Sequence, residues 1–152
     1  MTSKLIPLLL LTFLLTHNAP LANGVTIFGQ NVAGLWVRGV VACSTTGNLP
    51  GRGLAGVNVT IVCNGARTEP LAQILTDGNG VFNAILTALE GIAFDQSPAP
   101  CEAIVHTPIV GCELLGRPGL LRAVVTVAAN LVQTVLGLVA TTVLGPFQFV
   151  PI

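Results

Sequence analysis

Short apolar runs alternate with glycine- and proline-containing segments along most of the chain. In the clearest run, "VNVTIVC" at 57–63, apolar and polar positions alternate, as they do in a strand with one buried face. One face carries Val57, Val59, Ile61 and Cys63, and the other carries Asn58, Thr60 and Val62. This pattern predicts an all-β protein, a single small antiparallel β-barrel or Greek-key sandwich of about seven short strands.

Other elements follow from the same punctuation. "LWVRGVVACS" (35–44) is predicted as the first strong strand, and "TTGNLPGRGLAG" (45–56) as a loop, because its glycines and proline disfavour a long element. "EGIAFDQSPAP" (90–100) is predicted as a second long loop. "CEAIVHTPIVGC" (101–112) is predicted as a strand that breaks at Thr107-Pro108.

The stretch "TDGNGVF" (76–82) has three possible interpretations: a calcium loop, an anion-binding glycine loop or a turn. An EF-hand loop needs glutamate at its twelfth position, which is Ala88 here, and an anion cradle needs a helix where Val81 and Phe82 favour a strand. Strand-like runs, "LAQILT" and "VFNAIL", flank the glycines. We therefore expect no metal, and a hairpin turn formed by Asp77, Gly78, Asn79 and Gly80.

The C-terminal residues 123–152 contain no charge, a length that would span a membrane if helical. Asn130, Gln133 and Pro146 interrupt the run, and its end, "LGPFQFVPI", lacks the uninterrupted hydrophobic tail of a GPI signal. The β-branched content instead favours strands packed into the core, with Phe147 and Phe149 on one face of a final short strand. No stable membrane span is expected.

Residues 1–24 have the pattern of a secretory signal, with Lys4 ahead of the apolar core "LIPLLLLTFLL". Cleavage is expected after Gly24, with Ala22 as the alternative, so that residues 25–152 form one secreted β-domain. That domain has five arginines against six carboxylates, which leaves no basic patch for nucleic acid. In a secreted chain, Asn58-Val59-Thr60 is an N-glycosylation acceptor on the outward face of its strand.

The four cysteines all follow the signal, and an even number in an oxidising compartment predicts two disulfides. They are Cys43, Cys63, Cys101 and Cys112. No C-x-x-C pair occurs and His106 is the only histidine after residue 24, so a zinc site is disfavoured. The sequence by itself permits three connectivities.

Residues suited to catalysis are few, and no cofactor is expected. The segment after residue 24 has neither tyrosine nor lysine, and no glycine pattern of a nucleophile elbow places His106 beside Ser44 or Ser97. A pair of carboxylates in a glycosidase needs a large sugar cleft, for which the chain is small. We therefore expect no enzyme, although six acids are present: Glu69, Asp77, Glu90, Asp95, Glu102 and Glu113.

Three further side chains have two interpretations each. Arg38 and Arg122 lie on predicted strands and either face solvent or face each other or a bound anion, and the solvent-facing interpretation is favoured. Trp36, the only tryptophan, is interpreted as a core or rim residue in preference to a sugar-stacking platform.

Several segments together resemble the plant phylloplanin family, part of the broader group of secreted pollen-allergen and extensin-like domains. They are "VRGVVACSTTGN", "AGVNVTIVCNGA", "TDGNGVF" and the close cysteine pair of "CEAIVHTPIVGC", and the resemblance covers roughly residues 36–152. It implies a small disulfide-bonded β-domain with no catalytic residues. With the family as guide, the cysteines are paired by position, Cys43 with Cys112 and Cys63 with Cys101. The wider family usually has six cysteines, whereas this chain has four.

The resemblance also implies a function: secretion to the leaf surface and inhibition of germinating fungal and oomycete spores, without enzymatic activity. Phylloplanins are often basic, whereas this chain is not, so an apolar contact with a microbial surface is expected in place of an electrostatic one. The alternative is an extracellular-matrix protein that binds wall polysaccharide or another wall component. A small-ligand carrier is a third option. The sequence leaves the oligomeric state open.

Overall fold

The computed structural model describes residues 25–27, 29–63, 70–89 and 101–152, with residue 129 described by its backbone alone. The predicted signal, the predicted loop at 90–100 and the acids at 69, 90 and 95 therefore lie outside the described residues. A short 3-10 helix spans Glu113–Leu115. The strands are β1 (Val25–Ile27), β2 (Gln30–Val32), β3 (Gly34–Val40), β4 (Ala42–Cys43), β5 (Arg52–Gly53), β6 (Asn58–Cys63), β7 (Ala72–Leu75), β8 (Val81–Leu86), β9 (Cys101–Thr107), β10 (Gly119–Thr134), β11 (Gly137–Leu144) and β12 (Gln148–Pro151).

One sheet holds most of these strands and curves into a nearly closed barrel, in the order β7-β6-β9-β10-β11-β3-β8. β12 pairs with β10 on the side that β11 also uses, so β11 and β12 follow each other along one edge of β10. All ladders of this sheet are antiparallel except that between β11 and β3, which is parallel. The prediction of a small all-β fold is confirmed, with one parallel pair that the sequence pattern did not reveal.

The core lies inside the curved sheet and follows the predicted alternation. In β6, Val59 and Ile61 are fully buried and Asn58 is exposed, in agreement with the two faces predicted for this strand. The burial of the β-branched face removes apolar surface from water, the main favourable term in folding. The largest fully buried side chains are Phe82, Leu35, Ile61, Leu89, Leu115 and Leu121.

The strand predicted over residues 35–44 is divided at Val41. The N–H of Val41 donates to the carbonyl of Gly80 (2.8 Å), and its carbonyl accepts from the N–H of Leu54 (2.9 Å). At this residue the backbone is therefore bonded to two loop segments and no longer to a neighbouring strand. β4 then pairs with β5, a strand that lies inside the segment predicted as a loop (45–56). The β1–β2 hairpin was not predicted either, because its strands of three residues are too short to show an alternation.

The charge-free C-terminal segment forms most of β10 and all of β11 and β12, which confirms the prediction of strands for these residues. Phe147 is buried and Phe149 is half-buried against the core, on the same side, as predicted for the last strand. β10 is 16 residues long, not short, and a register shift between Val127 and Leu131 marks a β-bulge in it. None of the helices found in the described ranges has the length and hydropathy needed to cross a membrane.

The glycine-rich stretch forms a turn, but not the hairpin turn expected from the sequence. The N–H of Gly80 donates to the carbonyl of Asp77 (3.0 Å), and the Asp77 carboxylate accepts from the N–H groups of Asn79 and Val81. Only Gly80 of the two glycines has a positive φ, 80°. The flanking strands are not partners of each other in the sheet: β7 pairs with β6 and β8 pairs with β3, so this turn links the two ends of the sheet and not the strands of a ladder.

Two disulfides link Cys43 to Cys112 and Cys63 to Cys101. This is the pairing expected by position from the family resemblance. The first bond joins β4 to the segment before the 3-10 helix, and the second joins the paired residues at the ends of β6 and β9. Both bonds close long loops, with sequence separations of 69 and 38, and thereby restrict the unfolded chain.

The turn glycines provide a matched test of this closure. In Gly80→Ala, the new Cβ would lie 2.5 Å from the Val41 oxygen and 2.7 Å from the Leu54 nitrogen, at a positive φ. We expect the free energy of unfolding to fall by about 2–4 kcal/mol. Gly78→Ala, two residues away, has nothing within 4 Å of its Cβ and should change stability by less than about 0.5 kcal/mol.

Denaturant unfolding of both variants with their disulfides intact measures the two free energies. Equal effects of Gly78→Ala and Gly80→Ala would contradict the close backbone approach at residue 80.

Candidate binding surface

The outward face of β3 carries Trp36 and Arg38, two residues apart and therefore on the same side of the strand. Leu35 and Val37, which alternate with them, are fully buried. Across the parallel ladder, Thr141 lies opposite Trp36, and Thr142 follows it. A depression of about 160 Å³ is lined by these four residues, Trp36, Arg38, Thr141 and Thr142.

Trp36 is held in place by hydrogen bonds on two sides. Its indole Nε1–H donates to the side-chain oxygen of Asn83 on β8, and its backbone carbonyl accepts from the Thr142 hydroxyl (2.8 Å). The side chain is half-buried. Trp36 therefore lies on the outer face, where its ring borders a depression instead of filling the core.

The two candidate arginines have different surroundings. Arg122 donates two hydrogen bonds to the Glu102 carboxylate, at 2.8 and 2.9 Å, in the only ion pair among the described residues. The hydrogen bond and the negative charge of Glu102 both raise the pKa of Arg122. Arg38 is exposed and has no ion pair within the described part of the chain. None of the three depressions formed by described residues on this face is lined by both arginines.

Two further depressions continue from the first along the outer face. One, of about 310 Å³, is bordered by Arg38, Leu49, Leu144 and Pro146, and the next, of about 370 Å³, by Pro146, Val124 and the Arg122–Glu102 pair. The first and second depressions share Arg38, and the second and third share Pro146. Together they form an interrupted groove lined by residues of β3, β11 and β10. Such a groove suits an extended ligand better than a compact one.

Asn48 forms one wall of this groove, a role that sequence reasoning missed. Its side-chain oxygen accepts from the Phe147 N–H (2.7 Å) and its side-chain nitrogen donates to the Phe147 carbonyl (2.9 Å). The amide thus replaces a strand partner at the break between β11 and β12. The only signal in the sequence is an asparagine in a glycine-rich loop, which does not identify a partner 99 residues away.

An apolar hairpin tip, defined here as residues 131–138, lies at the far end of β10 and β11. The last rung of the β9 ladder joins Val125 to Cys101, so the hairpin continues beyond the paired length of β9. At the tip, Val135 is fully exposed and Leu136 is 55% exposed. The turn is stabilised by the Thr134 hydroxyl, which bonds to the carbonyl of Gly137 and the N–H of Leu136.

The remaining candidates for chemistry are dispersed. The Ser44 hydroxyl donates to the carbonyl of Asn48 (2.7 Å), and His106 is exposed on β9. Within the described ranges, no three His, Cys, Asp or Glu residues lie close enough to hold a metal ion. Ser97 lies outside the described residues.

Comparison of the chain with models of protein families, with curated proteins and with solved structures finds no match in any of the three. The resemblance to phylloplanins therefore stays a prediction from the sequence, and the functional argument depends on the surface of the domain.

The side chain of Asn58, the predicted glycosylation acceptor, is in contact with solvent in the folded domain. It is exposed on β6, opposite Leu75 on β7, which is also exposed. In a secretory host we expect Asn58 to carry an N-glycan, seen as a mass difference that a glycosidase specific for N-glycans removes. Asn58→Gln and Thr60→Ala should both abolish the difference, and a chain secreted without any such difference would contradict the prediction.

Proposed function

We propose that this protein is a secreted, non-enzymatic defence protein that inhibits spore germination of fungi or oomycetes through contact with lipid at the microbial surface. The observation that supports the proposal most strongly is the apolar hairpin tip, where Val135 and Leu136 are adjacent and in contact with water. Transfer of an exposed apolar side chain from water into an apolar phase is favourable, by about 1.5–3 kcal/mol for each large side chain.

The absence of charge defines the kind of lipid contact. No acidic or basic residue occurs in residues 123–152, so the tip has no carboxylate to repel a phosphate headgroup and no cation to attract one. Binding at this tip is driven by the hydrophobic effect and not by surface potential. It should therefore be insensitive to the proportion of anionic lipid and to salt.

Two fully exposed valines allow a matched test. Val135→Asp places a carboxylate at the tip, whereas Val110→Asp places the same group at another fully exposed valine, before the 3-10 helix. In co-flotation with phosphatidylcholine vesicles, Val135→Asp should lower the affinity at least about tenfold, because it removes an apolar contact and adds a charge. Val110→Asp should bind as the unchanged protein does.

The same three proteins, with disulfides formed, should be compared in a spore-germination assay, with a reduced and alkylated sample as the control for folding. The proposal requires inhibition by the unchanged protein and by Val110→Asp, and loss of inhibition by Val135→Asp. Inhibition that is equal for both aspartate variants would refute the role of the tip, and no inhibition across a panel of fungi and oomycetes would refute the defence function.

A second candidate function, binding to a cell-wall polysaccharide, is favoured by a different observation. The depression beside Trp36 combines an aromatic ring with a cation and a threonine hydroxyl, groups that bind sugars through stacking and hydrogen bonds. This function predicts that the protein is retained in isolated plant cell walls after a salt wash. Recovery of the protein in a brief rinse of the intact leaf surface would instead favour the defence function.

A further inference from the structure

The depression beside Trp36 has the chemistry of a selective site, not of a general sugar-binding surface. Arg38 presents a guanidinium group that has no ion pair among the described residues, at the point where two depressions of the groove meet. A guanidinium group binds a carboxylate through two parallel hydrogen bonds, which are among the strongest that proteins form. An exposed arginine in this position therefore favours a ligand that carries a carboxylate.

The neighbours of Arg38 specify the rest of the ligand. The Trp36 ring is fixed through its Nε1–H by Asn83, which lies opposite Arg38 on β8, so the indole nitrogen is already bonded and the ring contributes its apolar surface. The Thr141 hydroxyl donates to the carbonyl of Asn130, which leaves its oxygen as an acceptor, and the Thr142 hydroxyl donates to the backbone carbonyl of Trp36. An aromatic ring, an acceptor oxygen and a guanidinium group in one depression suit a ring that has hydroxyl groups and an acid group.

Other anionic ligands fit less well. A nucleic acid needs several cations along its phosphates, but the second arginine of the groove is neutralised by Glu102. A simple phosphate would use Arg38 and leave the Trp36 ring without a partner. A neutral sugar would use the ring and leave Arg38 without a counter-charge.

We propose that Trp36, Arg38, Thr141 and Thr142 bind one uronic acid unit of an acidic polysaccharide, with further units along the groove toward Pro146. The inference rests on the second candidate function, polysaccharide binding, and names its sugar class and its site. The Arg38 guanidinium binds the carboxylate, the Trp36 ring packs on the sugar ring and the Thr141 oxygen accepts a hydrogen bond from a sugar hydroxyl, while Thr142 positions Trp36 through its backbone carbonyl. An unesterified carboxylate is required.

The single tryptophan makes the test direct, because the chain has no tyrosine and its tryptophan emission comes from Trp36 alone. Titration of the disulfide-bonded protein with galacturonate oligomers and, separately, with glucuronate oligomers should change this emission in a saturable way for at least one of them. The two arms distinguish a pectin-like source from a glucuronate-containing one. Methyl-esterified galacturonate oligomers, which lack the charge, should bind at least about tenfold more weakly than the free acid.

Two arginine variants provide the control for charge. Arg38→Gln should weaken binding at least about tenfold. Arg52→Gln makes the same charge change at a side chain that bonds to the Gly111 carbonyl outside the groove, and it should bind normally. Both residues are exposed, and denaturant unfolding checks that the two variants remain equally stable.

Every outcome decides the proposal. Absence of binding to both acids, equal binding of acid and ester, or equal effects of the two arginine variants would each overturn the uronate site. Wall retention that survives Arg38→Gln would leave polysaccharide binding in place at another surface and would refute this site alone. Loss of wall retention in Arg38→Gln, with normal retention of Arg52→Gln, would support both.

Discussion

Closure of the sheet at the turn of residues 77–80 is the constraint on which the rest of the domain depends. β7 and β8 are the two ends of the sheet, and the chain passes from one to the other through five residues, 76–80. Val41 bonds there to Gly80 and Leu54, and Thr76, which is buried, bonds through its hydroxyl to the Leu54 carbonyl and the Val57 N–H. These hydrogen bonds satisfy backbone N–H and C=O groups that would otherwise need a partner in a strand ladder, as buried polar groups require.

This closure explains which parts of the fold the sequence predicted. The alternation in β6 and the glycine turn depend on neighbours along the chain, so their burial and geometry were readable from the pattern. The separation of β7 from β8 depends on how far the sheet curves, which the local sequence does not record. "TDGNGVF" has the residues of a hairpin turn in either case. The parallel contact of β3 with β11 joins residues about a hundred positions apart and leaves no mark in either strand.

The candidate site was predictable only as a set of separate residues. Trp36 and Arg38 stand out in the sequence because tryptophan and arginine are scarce in it, and their spacing places them on one side of a strand. Their partners come from β8 and β11, so a depression lined by Thr141 and Thr142 appears only when the ladders are known. The exposure of Val135 and Leu136 was hidden for a related reason: a short apolar stretch in a charge-free segment looks the same whether its turn lies in the core or in water.

Packing on the inner face of β3 determines that Trp36 and Arg38 lie on its outer face. Gly39 is paired with Phe82 on β8, and the buried Phe82 ring occupies the space that a side chain at position 39 would need. A phenylalanine lying over a strand glycine fixes the register of the two strands. A slip of one residue would turn Trp36 and Arg38 into the core and bring Leu35 and Val37 to the surface, at the cost of a buried charge and two exposed apolar side chains. The core contact between Gly39 and Phe82 thus keeps the only guanidinium of β3 on the outer face, where a ligand can reach it.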